Sequence, residues 1–213
     1  MATLRWLVEK IAKQNIMART NAYYQIPSRV FVSNVSKAKV LDLQLLERIT
    51  DPYTAASLRL QSAFGLRRAE SIKIQPGWAD RGDTLALKDT WTKGGRAREV
   101  PIRTSEQRAA LDHAKALAGS GSLIPNALTY VNQLQRFKAQ CQLAGIDHVH
   151  GIRHHYAQTR YQELTGWACP AQGGPTAKTL LPEQRATDLD ARLTISAELG
   201  HDRAQVTAIY LGR

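Results

Sequence analysis

The chain has 213 residues, length for one good-sized domain with a core of its own. Its 29 Lys and Arg against 18 Asp and Glu leave a formal charge of +11, spread along the chain and not gathered in a tail, which favours a polyanionic partner, nucleic acid before an anionic membrane surface. Cys141 and Cys169, the only cysteines, exclude a disulfide framework and a Cys-x-x-Cys zinc site, and no run approaches the ~20 apolar residues of a membrane span or a signal peptide's apolar stretch. The expectation is a soluble protein of the cytoplasm.

Leu4, Leu7, Val8 and Ile11 recur at helical spacing, which predicts an amphipathic helix over residues 3–15. Residues 17–39 are polar and broken by Pro27, and read as a linker. Helices are expected over 41–48 and 52–64, the second opened by Pro52 and closed by Gly65. Thr84-Leu-Ala-Leu and Arg98-Glu-Val-Pro-Ile read as short strands around a hairpin turn at Thr92-Lys93-Gly94-Gly95. Thr104 and Gln107 form a capping box for a helix to about Ala118. Further helices are expected over 127–144, from about His150 to Gly166, and over 188–199. Residues 165–186, rich in Gly and Pro, read as an inserted excursion. Asp202, with Gln205 three residues on, is the expected cap of a last helix carrying Tyr210. The fold class is therefore mainly α with a small antiparallel β-sheet (α+β), divided into a region 1–40 and a domain 41–213.

The densest chemistry lies near the C-terminus. His150 and Arg153 are three residues apart and share a helix face, while His201 precedes Tyr210 by nine residues. Imidazoles, a guanidinium and a phenol suit a phosphate better than a metal or a carbonyl. His150 and His154 have the spacing of a zinc pair but lack a third ligand, so no metal is expected. His154 and His155 read as supports beside the site, Arg68 as a solvated charge, and Glu70 as a residue that orients a neighbour or caps a turn.

Gly65-Leu66-Arg67-Arg68-Ala69-Glu70, Thr92-Lys93-Gly94-Gly95, His150-Gly151-Ile152-Arg153-His154, Leu199-Gly200-His201 and Tyr210 resemble, in order, the motifs of the tyrosine recombinases, the phage integrase family. The resemblance covers about residues 41–213 and implies that family's catalytic-domain fold. It also implies the catalytic set Arg67, Lys93, His150, Arg153, His201 and Tyr210. Tyr210 would attack a phosphate of double-stranded DNA and form a 3′-phosphotyrosyl bond. Arg67, Arg153 and His201 would hold the non-bridging oxygens, Lys93 would protonate the leaving 5′-oxygen, and His150 would help move the tyrosine proton. No cofactor, metal or ATP is expected, because cationic side chains neutralise the phosphate and the covalent bond conserves the phosphodiester energy. The implied function is site-specific integration or excision of a mobile element, by a homo-oligomer of four protomers on paired sites. A type IB topoisomerase-like enzyme and a non-cleaving DNA-binding remnant are the alternatives.

Three features depart from the family pattern. Only about 40 residues precede the catalytic region, where relatives carry a complete core-binding domain. The step from Arg153 to His201 is about twice the usual length, the excess lying in 165–186. Only Leu211, Gly212 and Arg213 follow Tyr210, where relatives commonly continue into a helix that docks on a neighbouring protomer.

Overall fold

The computed structural model describes residues 1–27, 32–201 and 204–213. By internal contacts the chain forms two compact units, 1–31 and 32–213. In the first, α1 (Ala2–Lys10) is followed by 3-10 turns at Gln14–Ile16 and Ala22–Tyr24. The helix is shorter than its apolar periodicity suggested: it stops at Ile11, and Ala12 follows with a positive φ. Arg5 ties the unit together, donating from Nη2 to Asn21 Oδ1 at 2.7 Å and from Nε to the Ala18 carbonyl.

In the second unit, residues 32–42 lead into α2 (Leu43–Glu47), capped by the Asp42 carboxylate. α3 (Pro52–Phe64) starts with Asp51 as cap and Pro52 in its first turn, and ends on Gly65 at φ +61°. α4 (Arg68–Lys73) and the short α5 (Pro76–Ala79) lead to the sheet. β1 (Thr84–Leu87) and β2 (Arg98–Pro101) pair antiparallel, Thr84 opposite Pro101 and Leu87 opposite Arg98. Their connection is not a tight hairpin. It runs through a 3-10 turn at Asp89–Trp91 and a glycine-bearing tip at Lys93–Gly95.

Four helices follow the sheet in the order α6 (Ser105–Ala118), α7 (Tyr130–Ala144), α8 (His150–Thr165) and α9 (Pro182–Glu198), before the last, α10 (Ala204–Leu211). The Thr104–Gln107 box closes as its spacing predicts. α9 begins six residues before the expected Asp188, because Pro182 opens the helix and does not break it, with Gln184 Oε1 accepting the Leu181 amide. The excursion thus reduces to 166–181, and it is not a detached loop: Cys169 and Ala171 are buried in one core cluster with Tyr156, Tyr161, Leu199, Tyr210 and Leu211. Asp202, the expected cap of α10, lies outside the described residues.

Among the described residues three apolar clusters hold this unit. One joins α3, α6 and the sheet around Phe64, Leu85, Val100 and Leu111. A second joins α2, α3, α4, α7 and α8 around Leu58, Ile72, Phe137 and Ile152. The third is the α8–α9–α10 cluster just described. Burying these side chains supplies ~25 cal/mol per Å² of apolar surface. α8 contributes to both helical clusters, so one of its faces is presented where they meet. Among the described residues no helix is long and apolar enough to cross a membrane.

Candidate active site

The site forms where three helix ends converge. α3 ends at Gly65, α9 ends at Leu199, and α8 begins at His150. The last carbonyls of a helix have no partner within it and carry the negative end of its dipole. Arg153, fully buried one turn into α8, satisfies two of them. Its Nη1 donates to the Gly65 carbonyl, and its Nη2 to the Leu199 carbonyl at 2.5 Å. Burial lowers the Arg153 pKa to about 10, despite Tyr210 and Glu70 nearby, so the guanidinium remains charged at neutral pH.

Tyr210 is buried against this cation. Arg153 Nε donates to Tyr210 Oη at 3.1 Å. Three imidazoles surround the phenol ring: His154 at 4.7 Å between centroids, His201 at 5.8 Å and His150 at 6.0 Å. Burial first, and the neighbouring arginines with it, push His201 down to about 4 and lower His150. Burial, with His150, Lys37 and Arg153 adding to it, brings His154 also to about 4. All three are therefore neutral rings at neutral pH. An arginine can only donate, so His201 Nε2, 3.4 Å from Arg153 Nη2, is the accepting nitrogen and the ring proton sits on Nδ1.

Arg67 enters from the start of α4. Its Nη1 donates to Glu70 Oε1 at 2.7 Å, while its backbone amide donates to Glu70 Oε2 at 2.8 Å. Glu70 is fully buried and also takes a two-pronged bond from Arg98, Nη1 to Oε1 at 3.1 Å and Nη2 to Oε2 at 2.7 Å. Burial works against this carboxylate, yet Arg98, Arg153 and Arg67 together bring its pKa down to about 2. Arg98 reaches across from β2 and donates from Nε to the Glu198 carbonyl, another terminal carbonyl of α9. Gly200, at φ +68°, leaves room for it, since a Cβ there would stand 3.0 Å from Arg98 Cδ.

Arg67, His150, Arg153, His201 and Tyr210 thus come together from four places in the sequence. Lys93 does not join them: it lies exposed at the tip of the β1–β2 connection, and among the described residues no hydrogen bond, ion pair or ring contact links it to the other five. Glu70 orients its neighbour, as its place in the sequence suggested. His154, read as a support, holds the imidazole nearest to Tyr210. Arg98 and the carbonyls of Gly65 and Leu199 escaped the sequence reading. Arg98 carries no local signal, and backbone acceptors are supplied by helix ends whose meeting is a tertiary fact. Among the described residues no group of three or more His, Cys, Asp and Glu has the arrangement of a metal site.

The profile of the family described as Integrase matches residues 28–159, which takes in Arg67, Lys93, His150 and Arg153 and stops before His201 and Tyr210. No curated protein matches the chain. Among solved structures, the XerH site-specific recombinase bound to its difH substrate, a pre-cleavage complex, is similar with a TM-score of 0.49 and 16% identity, over 83% of this chain and 50% of that one. The chain therefore spans half the length of that recombinase.

Proposed function

The chain belongs to the integrase family, and on that premise we propose that it is the catalytic domain of a site-specific DNA recombinase working through a 3′-phosphotyrosyl intermediate. The observation that carries the reading is the direct bond from the buried Arg153 guanidinium to Tyr210 Oη, with three neutral imidazoles around the same phenol. A buried tyrosine held only for packing needs no such company.

The chemistry follows from the geometry. Tyr210 Oη attacks the phosphorus, the bond to the 5′-oxygen breaks, and negative charge spreads over the non-bridging oxygens. Arg153 has five donors, of which the Gly65 and Leu199 carbonyls take two. The remainder face Tyr210, His201 and an incoming phosphate. Arg67, fixed by Glu70, supplies further donors, and the two arginines stabilise the charge that builds on the non-bridging oxygens in the transition state. A neutral His150 is a competent acceptor for the phenol proton, with His154 packed beneath it. Lys93 delivers a proton to the leaving 5′-oxygen once its loop closes over the DNA. The 5′-hydroxyl of a second DNA end then attacks the phosphotyrosyl bond, which restores a phosphodiester and frees Tyr210. The bond energy is conserved in the intermediate, so the reading requires neither ATP nor a metal. Exchange of four strands requires four nucleophiles, hence four protomers on paired sites, as in the integration or excision of a mobile element.

Covalent trapping tests this. A pool of duplexes, randomised around a nick placed in the cleaved strand just beyond the scissile phosphate, lets the cleaved fragment diffuse away. Wild type is expected to leave a denaturant-resistant protein–DNA adduct and Tyr210→Phe none. Binding to a recovered site without an adduct overturns the catalytic reading and leaves a DNA-binding remnant. Relaxation of supercoiled DNA lacking paired sites selects the topoisomerase-like alternative.

A further inference from the structure

The segment 32–40, expected to be linker, touches the catalytic tail at successive points. Asn34 grips the end of the chain with both functions of its amide: Nδ2 donates to the Arg213 carbonyl at 2.9 Å, and Oδ1 accepts the Arg213 amide at 2.8 Å. Ser36 Oγ donates to Gln158 Oε1 at 2.8 Å. Gln158, fully buried on α8, passes the connection on by donating from Nε2 to the Tyr210 carbonyl at 2.9 Å. The Lys39 amide donates to the Gly151 carbonyl at 3.0 Å, which anchors the far end of the segment on the first turn of α8.

Two glycines are shaped to this path. A Cβ on Gly151 would stand 2.6 Å from Lys39 Cγ and 2.8 Å from the Lys37 carbonyl, so α8 admits the segment only because that position is bare. A Cβ on Gly212 would stand 2.5 Å from Asn34 Oδ1 and 2.9 Å from the Ala171 amide, and its φ is +78°. The tail is closed on its other side by Arg192, whose Nη1 donates to the Gly212 carbonyl at 3.1 Å. Tyr210 through Arg213 is therefore held from α8, α9, the excursion and the upstream segment at once.

We propose that Asn34, Ser36 and Gln158 form a latch that positions Tyr210 for attack, so that the segment preceding the catalytic helices sets the geometry of the nucleophile. The inference rests on Tyr210 being that nucleophile. It makes these three positioning residues and not catalytic ones, because all act on the backbone of the tail. A nucleophile on a helix of eight residues is free to shift unless the backbone that carries it is held. The latch removes that freedom before the phosphate arrives, and a misplacement of about 1 Å suffices to cost a large factor in rate.

The test uses the 213-residue chain with Asn34→Ala and Ser36→Ala, both exposed positions, singly and together, and Ser36→Thr as the conservative variant. Three quantities are read: the single-turnover rate of adduct formation on the nicked pool, the affinity for the same DNA, and amide hydrogen exchange over residues 205–213. The latch predicts an adduct rate about tenfold lower in the double variant, which removes the two hydrogen bonds of Asn34 and that of Ser36 to Gln158, at unchanged affinity and melting temperature. Faster exchange is confined to the tail, and Ser36→Thr retains the wild-type rate. Wild-type exchange in the double variant overturns the latch even if no adduct ever forms. Faster exchange with an undiminished adduct rate overturns its positioning role. Absence of an adduct from wild type itself falls on the proposed function and leaves the exchange result to decide the latch.

Discussion

Glu70 is the residue on which the arginines of the site depend. Its carboxylate is fully buried and takes both prongs of Arg98 as well as Nη1 and the backbone amide of Arg67. Breaking such a buried group is expensive because the partners are left charged and unpaired. Glu70→Gln keeps the shape and removes the charge, and is expected to lower stability by about 3 kcal/mol in urea unfolding. Equal stability for the amide would show that the arginines find other acceptors. Because the folded pKa of Glu70 lies below its ordinary value, its contribution is full above about pH 4.5 and disappears as pH falls toward 2. The glutamine variant should lose that part of the acid transition. Glu70 was legible in the sequence as an orienting residue because its partner is three positions away. Arg98 was not, since the bond to Glu70 spans 28 residues and exists only because the fold brings Arg98 on β2 within reach of α4.

At the scale of elements, the convergence of helix ends explains most of the site, and the β1–β2 connection is the part left outside it. Trp91 is buried at the base of that connection and packs edge-on to Trp78 at 5.4 Å, with the Lys88 ammonium 4.3 Å from the Trp78 ring. Lys93 beyond them stands on Gly94 and Gly95, both at positive φ with nothing near a would-be Cβ. The loop is thus packed at its root and open at its tip, which suits a side chain that meets its substrate only when DNA is present. Lys93→Ala is expected to slow adduct formation by roughly 10²–10⁴, the usual share of general acid catalysis. The role makes a sharper demand. A sulfur in place of the leaving 5′-oxygen departs without a proton, so such a substrate should restore the variant to near the wild-type rate. A persistent defect on the sulfur substrate would move Lys93 from proton delivery to DNA binding. Capping boxes and strand patterns made most of the helices and the two strands legible, while α1 ends five residues short of its apolar periodicity and α9 starts six residues early. The early start of α9 was missed because a proline among glycines looks like a breaker, although at a first helical turn it is a starter. The packing of Cys169 and Ala171 beneath the tail was invisible because it depends on where the excursion folds back.

The whole molecule is strongly basic, and the site gathers cations that are held apart from water before any anion arrives. Among the described residues Arg67, Arg98 and Arg153 bear on His201, with Glu70 opposing them, while Arg67 and Arg153 bear on His150, and His150, Lys37 and Arg153 on His154. Burial first, and these charges with it, lower all three imidazoles, His154 and His201 to about 4. In the unfolded chain these rings take up protons near pH 6.5, whereas in the fold His154 and His201 resist until about pH 4. Their contribution to stability is therefore complete above about pH 6.5 and is lost as pH falls toward 4. A DNA phosphate placed among the same arginines reverses the local balance. Its negative charge offsets their repulsion and favours the imidazolium, so the bound complex holds more protons than the free protein across that window. By linkage, DNA binding should take up protons between about pH 4 and 6.5 and strengthen as pH falls through it, with almost no uptake above pH 7. Calorimetric titration with a recovered DNA site, at pH 5.5 in two buffers of different ionisation enthalpy, measures the uptake directly. His201→Gln should reduce it, since glutamine cannot titrate. Equal binding heats in both buffers would mean that the phosphate does not come to rest among these imidazoles, and that DNA engages the molecule elsewhere.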